Sequence, residues 1–416
     1  MSTKQDRLRY SLASQIISQL IRLVVLIGIG GWTARYLGPS SFGQLSYASA
    51  VVGVLAPIGS LGMRGSLGAL LCEPKLLPGL VSSALFIEVI GTFLLAAVLM
   101  PWALLMADPV VCGLIGFMVL ANLFNSSEVF EVNLLHYQRG TKIAGVDILQ
   151  TLAGAIMSSM LLIFKAPLLV FGGLSALQSA IRCGLLAWSS RPFIQFNFWA
   201  EVHWPAVKAL LVRGWPLIFA GLSVMIYMKS DQIMLQWMSG SAEVGQYSVA
   251  VRIAEAPYFI PMVIANTFLS RLGIDRFDEN DSQIALKKLY KLAWLIGILL
   301  ALATAFVLPF LALLVFGKHY NEAQAILVLL APAAFAVATG CASGAWLNAN
   351  GYTKIIALRS LVGACCNVIL NFYFIPLSGA SGAALATSVS QFVSVYLIGI
   401  LDKSIRQNTA LLIFPW

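Results

Sequence analysis

The chain has 416 residues, of which 59% are hydrophobic and only 10% are charged, whereas an ordinary soluble domain is about 25% charged. This composition excludes a water-soluble globular protein. The formal net charge of +9 does not indicate a nucleic-acid partner, because the lysines and arginines are scattered near the ends of apolar segments and form no basic patch.

Twelve apolar segments follow one another along the chain, each about as long as the 20 residues that a membrane-spanning helix needs. Breaks at Pro/Gly clusters and at charged runs predict helices near 11–35, 42–65, 80–105, 110–135, 143–164, 167–190, 210–237, 244–271, 287–315, 323–349, 354–375 and 380–401. The connecting segments are short and leave no room for a second soluble domain. The pattern predicts an all-α polytopic membrane protein.

The longest polar interruption runs from Arg191 to Arg213 and mixes aromatic with basic residues. Such a mixture is typical of a segment lying at the headgroup layer. It predicts a linker at 191–209 between an N-terminal lobe, 1–190, and a C-terminal lobe, 210–416. An ordinary interfacial loop explains the pattern as well as a mechanical hinge does.

The basic residues are distributed unevenly between the two sides of the membrane. If the N-terminus is cytoplasmic, the predicted outer loops contain only Arg35, Lys165 and Lys318. The positive-inside rule then predicts that both termini are cytoplasmic, as expected of an inner membrane protein.

An internal repeat supports the division into two halves. Phe42–Ala48 (FGQLSYA) aligns without gaps to Val244–Ala250 (VGQYSVA), and each copy begins an even-numbered predicted helix. Since each half has six helices and starts on the same side, the halves are predicted to be parallel repeats. A pseudo-twofold axis along the membrane normal and a central cavity follow from this symmetry.

Nine ionisable residues lie well inside predicted spans: Arg22, Glu88, Glu128, Glu131, Arg182, Lys229, Asp231, Arg252 and Glu255. Each would cost about 2.5–3.5 kcal/mol if it faced lipid, so we expect these groups to pair or to face a wet cavity. Arg22 and Lys229 have no opposite charge three or four residues away, which favours the cavity.

Simpler interpretations remain open for several of these charges. Arg252 and Glu255 are spaced to form an intrahelical pair, and Arg182 lies near enough to a helix end to extend its charge to the interface. Asp147 near a helix N-terminus could merely complement the helix dipole. Glu128 and Glu131 share a helix face and are expected to need a cation such as Arg182.

Amides and tyrosines accompany the charges in a number that suits a pore touching sugar hydroxyls. The candidates for sugar contacts are Gln19, Asn122, Tyr47, Tyr227 and Asn266. No phosphate-binding loop, H-E-x-x-H or G-x-S-x-G motif is present, and the six cysteines lack metal-binding spacing. We therefore expect no catalytic residues, no metal site and no cofactor, and a chain that moves its substrate rather than transforms it.

Several motifs resemble those of a known family. Ala34–Pro39 followed by Phe42-Gly43, Asp231–Leu235 followed by Val244–Ala250, and Gly379–Thr387 look like the signatures of the Wzx-type O-antigen flippases. These are polysaccharide transporters of the multidrug/oligosaccharidyl-lipid/polysaccharide exporter superfamily. The likeness covers the whole chain.

The resemblance implies a flippase of the bacterial inner membrane that moves an undecaprenyl-pyrophosphate-linked oligosaccharide from the cytoplasmic to the periplasmic leaflet by alternating access. A polysaccharide polymerase and a chain-length regulator are the implied protein partners. Arg22, Lys229, Arg252 and Arg182 are the cations expected to attract the diphosphate. The interior also holds acids, unlike a purely cationic lumen, and these are candidates for proton or sodium coupling: Glu88, Glu128, Glu131, Asp231 and Glu255.

Three other functions are weighed against this one. A lipid II flippase of the same superfamily usually carries two further C-terminal helices. A multidrug cation antiporter should present mainly acids in its C-terminal cavity, where this chain has Lys229 and Arg252. A membrane-embedded glycan polymerase or ligase needs a large outer loop with catalytic residues, which the predicted topology lacks.

Overall fold

The computed structural model describes the backbone of residues 4–73, 79–193, 202–272 and 279–416. It describes the side chains of the same residues except 4–16, 26, 266, 268–272 and 279–282. This part of the chain contains helices and no strand. The helices are α1 Lys4–Ser60, α2 Met63–Leu71, α3 Leu80–Met106, α4 Pro109–Leu123, α5 Ser127–His136, α6 Gly140–Ile163, α7 Leu168–Ser190, α8 Trp204–Met238, α9 Ser241–Glu255, α10 Phe259–Leu272, α11 Glu279–Leu302, α12 Leu308–Phe316, α13 Glu322–Ala349, α14 Thr353–Phe392, α15 Ile398–Leu401 and α16 Arg406–Ile413.

Ten helical stretches of the described chain are long and apolar enough to cross a membrane. Two of them, Ile17–Leu71 and Thr353–Leu401, run for 55 and 49 residues, far more than the roughly 20 that one crossing needs. Each long stretch is broken at a glycine with positive φ, Gly38 at 72° and Gly379 at 54°. Each therefore provides two spans, and the prediction of about twelve membrane helices is confirmed.

Two compact units make up the chain. The first comprises Met1–Leu37 and Ala48–Met225, and the second comprises Gly38–Tyr47 and Ile226–Trp416. In the first unit a core of leucines and valines joins α2, α3, α5, α6 and α7. In the second unit buried residues of α11, α13 and α16 form a separate core around Tyr290.

The boundary between the units differs from the predicted division at 190 and 210. Val207 and Leu210, at the start of α8, are buried in the core of the first unit, and the backbone at Gly214 lies directly against the Leu61 carbonyl. This packing holds the first part of α8 in the first unit. Of the predicted linker 191–209, residues 194–201 lie outside the described chain.

The internal repeat is visible in the backbone of the second unit. Gly38 (φ 72°, ψ 169°) and Gly240 (φ 89°, ψ 174°) adopt nearly the same left-handed, extended conformation. The interval between them equals the interval between the two motif copies. Gly43 packs against the Ser241 carbonyl, and its counterpart Gly245 packs in the same way against the Pro39 carbonyl. The two motif copies therefore make reciprocal contacts, which a side chain at either glycine would prevent.

Candidate functional site

Charged residues of the first unit form a continuous chain of ion pairs. Its nitrogen-to-oxygen distances are 3.7 Å for Arg64–Glu128, 3.1 Å for Arg64–Glu131, 2.8 Å for Arg182–Glu131, 3.1 Å for Arg182–Asp147 and 3.4 Å for Arg22–Asp147. The chain thus joins α2, α5, α7, α6 and α1. Three carboxylates face three guanidinium groups, so the chain is formally neutral and escapes most of the cost of charge at membrane depth.

Arg182 is the centre of this chain. Its guanidinium group donates hydrogen bonds to Asp147, to Glu131 and to the Ser127 hydroxyl, which is 3.0 Å away. The expected pairing of the α5 acids with Arg182 is thereby found for Glu131, whereas Glu128 contacts Arg64. Asp147 contacts two arginines, so its role exceeds that of a charge at a helix N-terminus.

Glu88 on α3 stands apart from the ion pairs. Its side chain is only 4% exposed, and within the described chain neither carboxylate oxygen has a hydrogen-bond partner. It lines a cavity of about 580 Å³ in the first unit together with Arg64, Thr92, Asn122, Asn125 and Glu128. The cavity thus holds one carboxyl group without a counter-charge of its own.

Amide groups order the wall of this cavity. Asn125 donates to the Asn122 carbonyl oxygen at 3.2 Å, and Asn122 donates in turn to the Thr92 hydroxyl at 3.4 Å. The Thr92 hydroxyl donates to the Glu88 main-chain carbonyl at 3.0 Å. These fixed donors and acceptors, beside the carboxyl groups, are the kind of groups that bind sugar hydroxyls.

A second polar cluster lies in the second unit around Asp231 of α8. The Asp231 carboxylate accepts hydrogen bonds from the Tyr247 hydroxyl and from the Gln232 main-chain N–H. Tyr247 also contacts the Thr387 hydroxyl at 3.1 Å, and Asn367 donates to that hydroxyl at 3.4 Å. All of these hydrogen-bond partners are neutral, so the buried carboxylate is held in place by dipoles.

Asn367 extends this cluster between α8 and α14. Its carbonyl oxygen accepts from Ser230 at 3.0 Å and from Asn371 at 2.9 Å. Both asparagines are fully buried, and within the described chain the Asn371 carbonyl oxygen has no hydrogen-bond partner. The cluster is therefore rich in oxygen acceptors, the ligands that hard cations prefer.

The cations predicted in the C-terminal half have no close acidic partner. Among the described side chains, neither Lys229 nor Arg252 lies within 4.0 Å of a carboxylate oxygen, although Lys229 interacts electrostatically with Asp231 and Glu255. The Arg252 guanidinium lies 4.8 Å from the centre of the Phe42 ring, a cation–π distance. The spacing of Arg252 and Glu255 thus does not produce a direct ion pair.

The predicted sugar contacts fall in different surroundings. Asn122 lines the cavity of the first unit, and Gln19 on α1 is exposed. Tyr47 is 5% exposed, and its hydroxyl accepts a hydrogen bond from Trp237 at 3.2 Å; Tyr227 lies against Gly363. The Asn266 side chain lies outside the described residues.

The sequence did not single out Arg64, Asp147, Tyr247 or Thr387 as site residues. Arg64 lies at the end of the predicted span 42–65, where the sequence indicated a cation near the cytoplasmic mouth, and it contacts Glu128 and Glu131. Tyr247 lies in the repeated motif, which was the available signal. Its counterpart in the first copy is Leu45, so the first copy has no hydroxyl at this position.

Comparison with known proteins identifies the family to which the chain belongs. Residues 8–269 match the family described as polysaccharide biosynthesis protein, and residues 216–373 match the MatE family. The capsular polysaccharide biosynthesis protein CapF of Staphylococcus aureus is 26% identical over 192 residues, which are 45% of this chain and 48% of CapF. The alignment therefore spans about half the length of that relative.

Solved structures share the fold. The lipid II flippase MurJ in an inward closed conformation matches with a TM-score of 0.74 at 15% identity, covering 97% of this chain and 89% of MurJ. The MATE multidrug transporter DinF-BH gives 0.67 at 15% identity, covering 96% of this chain and 95% of DinF-BH. Since the first family match covers more than half of the sequence, the chain belongs to the polysaccharide biosynthesis protein family, within the superfamily of polysaccharide and multidrug exporters.

Proposed function

We propose that this protein is a flippase that moves an undecaprenyl-pyrophosphate-linked oligosaccharide, an O-antigen or related repeat unit, from the cytoplasmic to the periplasmic leaflet. The observation that carries the proposal is the cavity of about 580 Å³ among membrane-spanning helices, whose lining includes two amides, three hydroxyls, two carboxyl groups and Arg64 beside apolar residues. Its volume is that of a ligand site. A polar site among apolar helices suits a hydrophilic cargo attached to a lipid.

The roles follow from the two units. Asn122, Asn125 and Glu88 receive sugar hydroxyls in the first unit, since these residues line the cavity. Lys229 and Arg252, which have no direct carboxylate partner in the described chain, attract the diphosphate in the second unit. Arg22 was predicted to act with them, but Asp147 lies 3.4 Å from it and neutralises it. Arg182 has a structural role, because Glu131 and Asp147 already neutralise it.

Asp231 couples this movement to a gradient of Na⁺ or H⁺. Its carboxylate lies in a buried cluster of neutral oxygen-bearing groups, so a cation bound there would supply the directly contacting positive charge that the cluster lacks. Glu131 and Glu128 already have arginine partners and are weaker candidates. The solved structures that share the fold include a lipid II flippase and a multidrug transporter, and we place both termini of this chain in the cytoplasm on the charge asymmetry of the loops.

Reconstitution in proteoliposomes tests the proposal. A lipid-linked oligosaccharide with a fluorescent sugar is incorporated, and its arrival in the opposite leaflet is followed with an impermeant quencher. Lys229→Ala and Arg252→Ala are expected to slow translocation at least tenfold, with Arg252→Lys less affected than Arg252→Ala. Lys318→Ala is the matched control, a cation outside the spans. Unchanged rates in both alanine variants would leave these bases with structural roles only.

The same vesicles separate the alternatives. Transport of lipid II in preference to the oligosaccharide carrier would support a lipid II flippase, and export of cationic dyes would support a multidrug antiporter. Lengthening or transfer of the glycan, read by mass spectrometry, would reveal a polymerase or ligase. Faster movement of the oligosaccharide carrier than of these other substrates is the result expected here.

A separate pair of variants tests the proposed coupling to an ion gradient. Asp231→Asn should abolish acceleration by an imposed Na⁺ or H⁺ gradient while downhill exchange continues. Asp108→Asn, at a carboxylate between α3 and α4, should behave like the unaltered protein. Full gradient dependence in Asp231→Asn would move the coupling site to Glu255 or Glu88.

A further inference from the structure

A groove opens between the first turns of α6 and the last turns of α7 in the first unit. It has a volume of about 540 Å³, and its walls include Leu149, Leu185 and Trp188, with Lys142 and Arg191 near the ends of the two candidate membrane spans, Gly140–Ile163 and Leu168–Phe193. No acidic residue of the described chain lines it. It is separate from the cavity that contains Glu88.

Basic groups are held together at this end of the groove. The Lys142 ammonium donates to the Ser189 main-chain carbonyl at 3.3 Å and lies 5.1 Å from the centre of the Phe193 ring. The Arg139 guanidinium lies 5.3 Å from the same ring, which Tyr137 supports by stacking at 5.0 Å. One aromatic ring thus fixes two like charges side by side.

These cations have no acidic partner in the described chain. Arg139, Lys142 and Arg191 each lack a carboxylate oxygen within 4.0 Å among the described side chains. Adjacent like charges repel, and an anion placed between them relieves the repulsion. Lysine and arginine both bind phosphate groups through charge-assisted hydrogen bonds.

An apolar track leads away from the cations along α6. Its residues recur at helical spacing and are all about half exposed or more: Leu149, Leu152, Ile156, Met160 and Ile163. The track is about 21 Å long at 1.5 Å per residue, somewhat more than half of the roughly 30 Å hydrocarbon core. Trp188 is 67% exposed beside its start, where tryptophan favours the headgroup level.

We propose that this groove binds an anionic phospholipid, with the phosphate at Lys142 and Arg191, which line the groove, and an acyl chain along the α6 track. The cations and the track lie in the order in which a phospholipid presents its headgroup and tail. Basic pockets between membrane helices are known to take anionic headgroups. This site is distinct from the proposed transport site, because its ligand is a lipid of the bilayer that stays bound while the cargo moves.

Native mass spectrometry of the full-length detergent-solubilised protein tests the proposal. Phosphatidylglycerol and phosphatidylcholine with identical acyl chains are titrated, and phosphatidylglycerol is expected to bind more tightly. Removal of one cation near an anionic headgroup is worth about fivefold in affinity. Arg191→Ala should therefore weaken phosphatidylglycerol about fivefold and Arg191→Ala with Lys142→Ala about 30-fold, whereas Lys165→Ala, at the opposite end of α6, should change nothing.

A further variant, Gly145→Leu, is designed to fill the groove without changing any charged residue. A side chain at Gly145 would meet open space, so Gly145→Leu should fold and should occupy the groove. It is expected to lower phosphatidylglycerol binding while leaving transport measurable.

Equal binding of the two phospholipids, or unaltered binding in both Arg191→Ala and Gly145→Leu, would overturn the proposal. Equal competition by glycerol phosphate would mean a phosphate site without a lipid track. Displacement of phosphatidylglycerol by polyprenyl diphosphate at lower concentration would make the groove a cargo site and would also refute the assignment.

Discussion

Replacement of Arg182 by methionine tests whether its charge holds the first unit together or attracts cargo. Methionine keeps the apolar stem and removes the guanidinium group. Glu131 and Asp147, each 14% exposed, then lose their nearest cation. Arg64 and Arg22 remain as second partners, but they are 57% and 46% exposed and compensate in part.

The magnitude follows from the burial of the pairs. Removing one partner of a buried ion pair lowers the free energy of unfolding by about 3–5 kcal/mol. Because Arg64 and Arg22 remain, we expect Arg182→Met to lower it by about 3 kcal/mol. That corresponds to roughly a hundredfold change in the unfolding equilibrium. Arg182→Lys should lose less, because an ammonium group keeps one carboxylate contact but cannot serve Asp147, Glu131 and Ser127 at once.

Equilibrium unfolding in mixed micelles measures these differences. The triple variant Arg182→Met, Glu131→Gln, Asp147→Asn removes both stranded carboxylates and should recover at least half of the lost stability. Transport by the triple variant should persist if Arg182 is structural. A single variant as stable as the unaltered chain, together with lost transport, would refute the reasoning and make Arg182 a cargo-binding residue.

Three further predictions concern the repeat, the unpaired acid and the topology. Gly245→Ala or Gly43→Ala should strongly reduce folded protein on size-exclusion chromatography, because the new Cβ meets backbone, whereas Gly53→Ala, with nothing within 4 Å, should be tolerated; equal yields would contradict the reciprocal contact. Glu88→Gln should leave stability unchanged or raise it, since the carboxylate has no partner to lose in the described chain, and a loss like that of Arg182→Met would show a missed counter-charge. In a cysteine-free background, Ser404→Cys should react with an impermeant maleimide only after the cells are opened, and Ser40→Cys should react in intact cells; the reverse would invert the topology.

Local composition determined the fold class of this protein. The length of an apolar segment decides whether it crosses the bilayer, and the Gly38-Pro39 and Gly379 breaks fall between predicted spans even though the helices run on around them. The repeated motif was also readable, because its two copies need glycine at the same place. The boundary between the two units was not, since the packing of α8 on the first unit depends on distant neighbours such as Leu61.

Only the tertiary structure decided which charges meet. Helical periodicity shows which residues share a face, but it does not show which helix that face touches. Arg182 pairs with Asp147 and Glu131 from two other helices; the sequence suggested a pairing with Glu128 or Glu131, beside a position at the membrane surface or facing cargo, but gave no sign of Asp147 as a partner. The spacing of Arg252 and Glu255 suggested a pair, yet the guanidinium lies on the Phe42 ring. An ionisable group at membrane depth must pair or face a wet cavity; the packing of the helices determined which groups pair and which, like Glu88, line a cavity.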